Sequence, residues 1–469
     1  MTRIITISPV TRIEGHARIT IRLDDAGKVA AARLHVQEFR GFEAFCAGRP
    51  FWEMPAITAR ICGICPTSHA LASALAGDSI LDITPPMAAQ RLRRLLSLAQ
   101  LILSHSLSFF HLSAPDIILG LDCNPAERNI LGLAQRFPEL IRKGVRLRQI
   151  GQEIVNRIGG GHLHPEYIVA GGMREPLAEE DRDTLAVLLL EAQSLVLFAL
   201  EIWHEHKGRF MEELGNCGDF PSLFLGLVGA DGCLDYTAGR LRFAAADGTV
   251  VDEFAPEDYA KAISETITGD SYMKPTSCTL SENGLYRAGP LARLNVARFV
   301  GAPQAGMERE RMLAGKKGST DSRDYHHARL IEMLYAVEKI AELLDDPGIT
   351  DSHVLAQGHV AGSGGVGVTE APRGTLIHDY RVDQHGLLTS VNLLVATGHN
   401  SRAMDQTITD IARRHIRGDV LTEGLLNRVE HGIRLFDPCL SCATHAGGRM
   451  GIAVELQDCE RTVIDRKIV

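Results

Sequence analysis

The chain has 469 residues, of which 45% are hydrophobic and 23% charged, and a formal net charge of −9. That balance is ordinary for a globular protein and excludes collagen-like, disordered and membrane-embedded classes. Its 49 basic and 58 acidic side chains are spread thinly, and without a basic stripe a nucleic-acid partner is not expected.

The N-terminal residues Met1 to Pro9 show no charged segment leading into an apolar run, so we expect no export signal and a cytoplasmic protein. Residues 17–23 alternate, with Ile19, Ile21 and Leu23 on one face; Asp24 to Gly27 reads as a turn and 28–37 as the returning strand. From Pro66 the pattern becomes helical. Pro85-Pro86 opens a helix of roughly 25 residues, expected to end near Ser113 because Pro115 follows. The apolar run Leu95 to Leu112 is long enough to span a bilayer. It carries Gln100, His105, His111 and four serines, so it reads as a buried core helix, as does Thr184 to His206 with its Glu191 and Glu201. No membrane span is expected.

Further helices are predicted over 126–157, 180–207, 324–345, 403–417 and 423–435, with a loop at 159–172. Residues 238–251 form a β-like patch around Asp247-Gly248, residues 375–395 read as a strand pair around Gln384-His385-Gly386, and 451–457 reads as a strand. There is no repeat, low-complexity segment or linker. The pattern predicts one compact, mainly α (α+β) domain: a large helical-bundle body with small peripheral β-hairpins and sheets.

Gly362 to Gly367 fits G-x-G-x-x-G, but Pro372 and Gly374 follow where a dinucleotide fold needs a helix. It is expected to be a Gly-rich turn shaping a site, not a nucleotide cradle.

The stronger signal lies in the ten cysteines. Six, at 46, 123, 217, 233, 278 and 459, are scattered and read as buried small hydrophobes or inert surface thiols. The other four form two C-x-x-C pairs, Cys62/Cys65 and Cys439/Cys442. Such a spacing brings two thiolates to one metal, and Pro66 suits the first turn of a helix whose positive end would favour thiolates. A structural zinc ribbon usually spaces its pairs by about 15–20 residues; here they lie at opposite ends of the chain. Neither pair continues to C-x-x-C-H, so haem attachment is excluded. Nickel, iron and zinc all suit four soft thiolates. Spacing alone does not choose among them, and a dithiol redox pair stays open.

The flanks carry a resemblance. R-I-C-G-I-C at 60–65 and D-P-C-L-S-C-A-T-H at 437–445 resemble the two cluster motifs of the large, catalytic subunit of nickel–iron hydrogenases. T-R-I-E-G-H at 11–16, F-R-G-F-E at 39–43, E-A-P-R-G at 370–374 and N-L-L-V-A-T at 392–397 match that family in order along nearly the whole chain. The compact length, H-D-Y-R-V-D at 378–383 and C-A-T-H are most similar to the soluble, bidirectional NAD(P)-linked branch.

The resemblance implies reversible heterolytic cleavage of H2 into protons and electrons. It makes Cys62 and Cys439 terminal nickel ligands, and Cys65 and Cys442 bridges to an iron bearing CO and CN. Glu14 would transfer protons; without the family it reads as a salt-bridge partner of Arg12. Arg373 would overhang the open metal position, held by Asp116 and Asp437. Glu43, His445 and the backbone carbonyl of Leu393 would hold Mg2+. His69 would hydrogen-bond a ligand sulfur and Thr397 a cyanide. His162, His164, His326 and His327 stay unassigned surface or loop residues.

By the same resemblance, residues 1–445 form a single catalytic domain, and 446–469 a tail removed by a maturation protease once nickel chaperones have loaded the site. The chain holds no further cysteine cluster for iron–sulfur centres, so an iron–sulfur small subunit must take the electrons and flavin/NAD(P) diaphorase subunits pass them on. The weighed alternatives are a hydrogen-sensing regulatory subunit, which generally lacks such a tail, and a hydrogenase of another soluble branch with a different acceptor. Two more are the quinone-site subunit of complex I, against which the four cysteines count, and a structural zinc protein.

Overall fold

The computed structural model describes residues 3–39, 41–161, 163–416 and 421–444, together with the backbone of two strands at 453–457 and 463–468. Helix makes up 50% of the chain and strand 19%.

An antiparallel sheet opens the chain: β1 (Ile4–Ile7), β2 (Ala17–Leu23) and β3 (Val29–Val36), with Ile4 opposite Arg22 and Ala17 opposite Val36. The hairpin follows the alternation, whereas β1 is too short to show a period of its own and is fixed by pairing along β2.

The body is α1 (Pro66–Leu81), α2 (Met87–Ser106), α3 (Pro138–Gly159) and α4 (Glu179–Leu214). α5 (Tyr325–Asp345) packs on α2 and α4, and α2 and α4 both pack on α3. α2 does not stop before Pro115. It widens into a π turn at Leu107–Ser113 and resumes as Ala114–Leu119. The change of register carries the chain past a proline whose missing N–H would otherwise break the ladder.

Two stretches, Met87–Leu119 and Glu179–Leu214, are long and apolar enough to cross a membrane. The most apolar window of the first is 83% buried in the protein. The second is buried along one stripe only: Leu185, Leu189, Ala192, Val196 and Trp203 face the core, while Val187 and Leu190 are 69% and 71% exposed. The expectation of a wholly buried helix over 184–206 is therefore corrected. Glu191 sits on the outer face, paired with Arg146 at 2.6 Å.

A four-stranded sheet contains β4 (Leu223–Val228), β5 (Arg240–Ala245) and β6 (Val250–Phe254), edged by the parallel pair Tyr286–Arg287. A second antiparallel sheet, β7 (Gly364–Ala371), β8 (Gly374–Val382) and β9 (Leu388–Leu394), lies against α1. The glycine run 362–367 is thus mostly strand, not turn. A Cβ at Gly365 would fall 2.3 Å from the Ala76 carbonyl oxygen, and one at Gly367 1.9 Å from that of Ala72. These glycines let strand backbone touch helix backbone, pinning α1 and its cysteine pair to the sheet.

α6 (Ser401–His415) packs on β3, and α7 (Glu423–Arg434) on α6. The predicted strand 451–457 is present as β10 (Ala453–Gln457), paired antiparallel with β11 (Val463–Ile468).

Candidate metal centre

The two ends of the chain meet at the four cysteines. Cys65 caps α1, with Pro66 in its first turn, and Cys439 caps the short helix Leu440–Ala443. Their sulfurs form a string: Cys62–Cys439 at 3.1 Å, Cys439–Cys442 at 3.0 Å and Cys442–Cys65 at 3.4 Å. All four side chains are buried. Hydrogen bonds from Cys439, Cys442 and Cys65 hold the Cys62 thiol well below the ordinary range, aided by the Arg373 charge, while burial pushes Cys439 and Cys442 well above it. Four thiols packed this closely cannot all ionise without a compensating cation, which is the electrostatic signature of a metal-binding set. A narrow cavity of about 10 Å3 opens beside Cys65, Cys439 and Cys442, closed by Pro372, Arg373 and Thr397.

Glu14 is stitched to the second pair. Its carbonyl accepts the Leu440 N–H at 3.2 Å, and its carboxylate accepts the Ser441 N–H at 3.0 Å and the Ser441 hydroxyl. A Cβ on Gly15, whose φ is +86°, would lie 2.7 Å from Leu440 Cβ, so the following glycine permits the approach. Ser441 Oγ also reaches Glu38 Oε2 at 3.4 Å, and Glu38 contacts the exposed His16. Arg12 is not Glu14's partner: it turns to Asp116 at 2.5 Å and to the Leu112 carbonyl at 2.9 Å.

Arg373 occupies the tip of the two-residue hairpin between β7 and β8. Its guanidinium pairs with the Asp437 carboxylate at 2.9 Å, with Nε on the Asp437 carbonyl at 2.6 Å and Nη1 on Ser104 Oγ at 3.2 Å. Burial works against its charge, but Asp437 and the cysteine sulfurs outweigh burial and raise its pKa.

Asp116 does not hold Arg373, contrary to expectation. Its carboxylate is taken by Arg12, by Arg434 at 3.0 Å, by His431 at 2.6 Å and by Asn427 at 3.1 Å. Burial disfavours the anion, but Arg434, His431 and Arg12 hold it well below the usual carboxylate range. The basic residues of α7 and of the Arg12 segment claim this acid first.

His69 lies on α1 with Nε2 at 3.3 Å from Cys442 Sγ, backed by His378 at 3.1 Å, which in turn meets the Tyr380 hydroxyl at 2.7 Å. Thr397 brackets Cys439: its hydroxyl accepts the Cys439 N–H at 2.9 Å and donates to the Cys439 carbonyl at 3.3 Å. Glu43 accepts the Leu393 N–H at 2.9 Å and faces Lys274 at 3.5 Å, which pairs with Glu265 at 3.1 Å. His445 and His162 lie outside the described residues. His326 and His327 are buried on α5, contrary to the surface reading: His326 meets His431 at 3.0 Å and His327 meets Glu308 at 2.7 Å. Ser441, Ser104 and His378 escaped the sequence reading, although Ser441 lies inside C-L-S-C and His378 opens a quoted motif. A lone serine or histidine carries no period.

Two family models match the chain: one described as HoxL-like over residues 4–39, the other as nickel-dependent hydrogenase over residues 40–165. The chain is 41% identical to the NAD-reducing hydrogenase HoxS subunit beta of Cupriavidus necator, with 100% of both chains covered. It is similar to a crystal structure of an NAD+-reducing nickel–iron hydrogenase in the H2-reduced state, with TM-score 0.89 and 42% identity over 95% of this chain and 100% of that one. The nickel–iron–selenium hydrogenase of D. vulgaris Hildenborough aligns with TM-score 0.78 and 25% identity over 95% of this chain and 100% of that one.

Proposed function

The chain belongs to the nickel-dependent hydrogenases, and from that premise we propose how its residues divide the work of a catalytic subunit that cleaves H2 reversibly. The observation that carries the reading is the meeting of four buried cysteines from opposite ends of the chain within 3.0–3.4 Å of their neighbours. Soft thiolates with lone pairs for two metals suit a nickel–iron pair. In this reading Cys62 and Cys439 would hold nickel alone, while Cys65 and Cys442 would be shared between nickel and iron. The order of the sulfurs supports the division, since Cys62 neighbours Cys439 at 3.1 Å and Cys65 neighbours Cys442 at 3.4 Å. The narrow cavity and its donors, Arg373 and Thr397, suit small anionic or neutral diatomics such as cyanide and CO. When bound, the metal pair supplies the electrophile that draws the electron pair of H2.

The protein must then take the proton. Glu14 holds its carboxylate against Ser441, between the two cysteines of the second pair, and Ser441, Glu38 and His16 continue the hydrogen-bonded line to the surface. A hydroxyl can donate and accept at once, so Ser441 can pass a proton between the two carboxylates. Arg373 sets a fixed positive charge over the cavity, oriented by Asp437, and excludes bulk water. Asp116 serves the packing of α7 instead. Glu43, the Leu393 carbonyl and His445 are proposed as a Mg2+ site; the Glu43 carboxylate, which accepts the Leu393 N–H at 2.9 Å and so lies against the end of β9, supports it.

The electrons leave through an iron–sulfur small subunit and flavin/NAD(P) diaphorase partners. Supporting this, Phe45 and Trp52 are 55% and 53% exposed around an open groove of about 700 Å3 lined by Arg60, directly before the first cysteine pair. We assign residues 1–445 to one catalytic domain and 446–469 to a tail cut by a maturation protease after nickel chaperones act. Infrared spectroscopy with metal analysis on anaerobically purified protein tests the centre. Carbonyl and cyanide bands with nickel and iron are expected; zinc as the sole metal with no such bands overturns it. Hydrogen-dependent NAD+ reduction by the whole complex tests the acceptor.

A further inference from the structure

We propose that Arg293 is a positioning residue for the hydrogenase reaction: it fixes the Pro372–Arg373 turn and thereby aims the Arg373 guanidinium at the metal cavity. The inference rests on the reading of Arg373 given above. Arg293 lies in the helix Pro290–Val296 with its side chain fully buried. All five of its N–H groups are used. Nε and Nη2 grip the two oxygens of Glu332 at 2.6 and 2.7 Å. Nη1 donates to Glu370 Oε2 at 2.8 Å and to the Ala371 carbonyl at 2.8 Å, and Nη2 to the Pro372 carbonyl at 3.2 Å. The two residues before Arg373 are therefore held by one rigid fork.

Three further contacts give the fork its leverage. The Arg373 carbonyl abuts the start of the same helix, where a Cβ on Gly289 would lie 2.6 Å away. Glu370, the residue that opens E-A-P-R-G, accepts the Leu227 N–H at 3.0 Å and the Thr375 hydroxyl at 2.7 Å through its other oxygen, so it braces both sides of the turn. Glu332 also takes His105 Nε2 at 2.8 Å, and the adjacent Ser104 receives Arg373 Nη1 at 3.2 Å. The backbone and the guanidinium of Arg373 are thus referred to one buried carboxylate, on α5. A guanidinium is needed because an ammonium cannot serve two carbonyls and a bidentate carboxylate in one plane.

A double-mutant cycle separates this role from general support of the fold. The mature protein is prepared as wild type, Arg293→Lys, Arg373→Lys and the double variant, with nickel and iron measured in each. Arg293→Lys is expected to keep its metals yet lose roughly tenfold in H2 turnover, and to shift the carbonyl and cyanide bands. In the Arg373→Lys background the same change should cost less than about twofold, because the residue it aims is already gone. Equal losses in both backgrounds, or near-normal turnover of Arg293→Lys, overturn the inference. If Arg293→Lys does not load metal, Glu370→Gln, which keeps the shape and removes one charge, enters the same cycle and is read the same way. The Arg373→Lys variant alone reports on the role of Arg373, so failure of that reading shows separately as unchanged turnover.

Discussion

Glu14 shows how much one side chain's neighbours decide. Ser441 offers it both a backbone N–H and a hydroxyl, and a glutamine can answer both, because the hydroxyl accepts as readily as it donates. Glu14→Gln is therefore expected to keep fold, nickel and iron but to lose H2 turnover by roughly 10²–10⁴-fold, the usual weight of a proton-transfer group. Turnover assayed beside metal content checks this, and near-normal turnover would return Glu14 to a purely structural role. Asp405, on α6, makes the opposite case. Burial pushes its carboxyl up to about 7, although it accepts the Leu34 N–H at 2.9 Å. A raised carboxyl pKa means that the folded state holds the proton longer. Stability from this group is present below about pH 4, the unfolded value, and is lost as pH rises toward 7. Urea midpoints at pH 5 and pH 8 should differ in that direction, and Asp405→Asn should flatten the difference. An unchanged slope in the variant would refute the assignment.

At the scale of elements, patterning exposed most of the architecture. The N-terminal hairpin and the late helices follow their hydrophobic periods, α1 is buried on nearly every side and was marked by Pro66 instead, and both cysteine pairs were legible from spacing. What escaped was set by contacts between elements. β1 exists only because β2 offers it an edge, and the π turn only because Pro115 needs a register change. Asp116 has the same residues around it in sequence whichever arginine it serves; only the fold shows that Arg12 and Arg434 reach it before Arg373. The glycines of β7 were legible as glycines but not as a strand, because the partner that demands them is α1. Gly367→Ala would drive a methyl to 1.9 Å from the Ala72 carbonyl oxygen. It is expected to destabilise the protein by about 1–3 kcal/mol and to loosen the first cysteine pair. Thermal unfolding with metal retention checks it: an unchanged Tm would mean that strand and helix part freely.

At the scale of the whole molecule, maturation can be followed by mass. We expect active, nickel-containing protein to end at His445 and precursor to carry the full chain to Val469; intact-mass spectrometry paired with nickel analysis decides it. Active protein with the tail attached would contradict the proposal, as would cut protein without nickel. The closure of the centre across the chain has one more consequence, in time. Cys62 and Cys439 are 377 residues apart, and synthesis at about 5–20 residues per second separates their emergence from the ribosome by roughly 20–75 s. Throughout that interval Cys62 and Cys65 exist as an exposed dithiol without its counterpart, able to bind zinc or copper with two ligands but not to enclose a bimetallic centre. The order of synthesis itself thus sets a window in which the wrong metal competes, and any factor delivering the right one must act after the last helix has folded home.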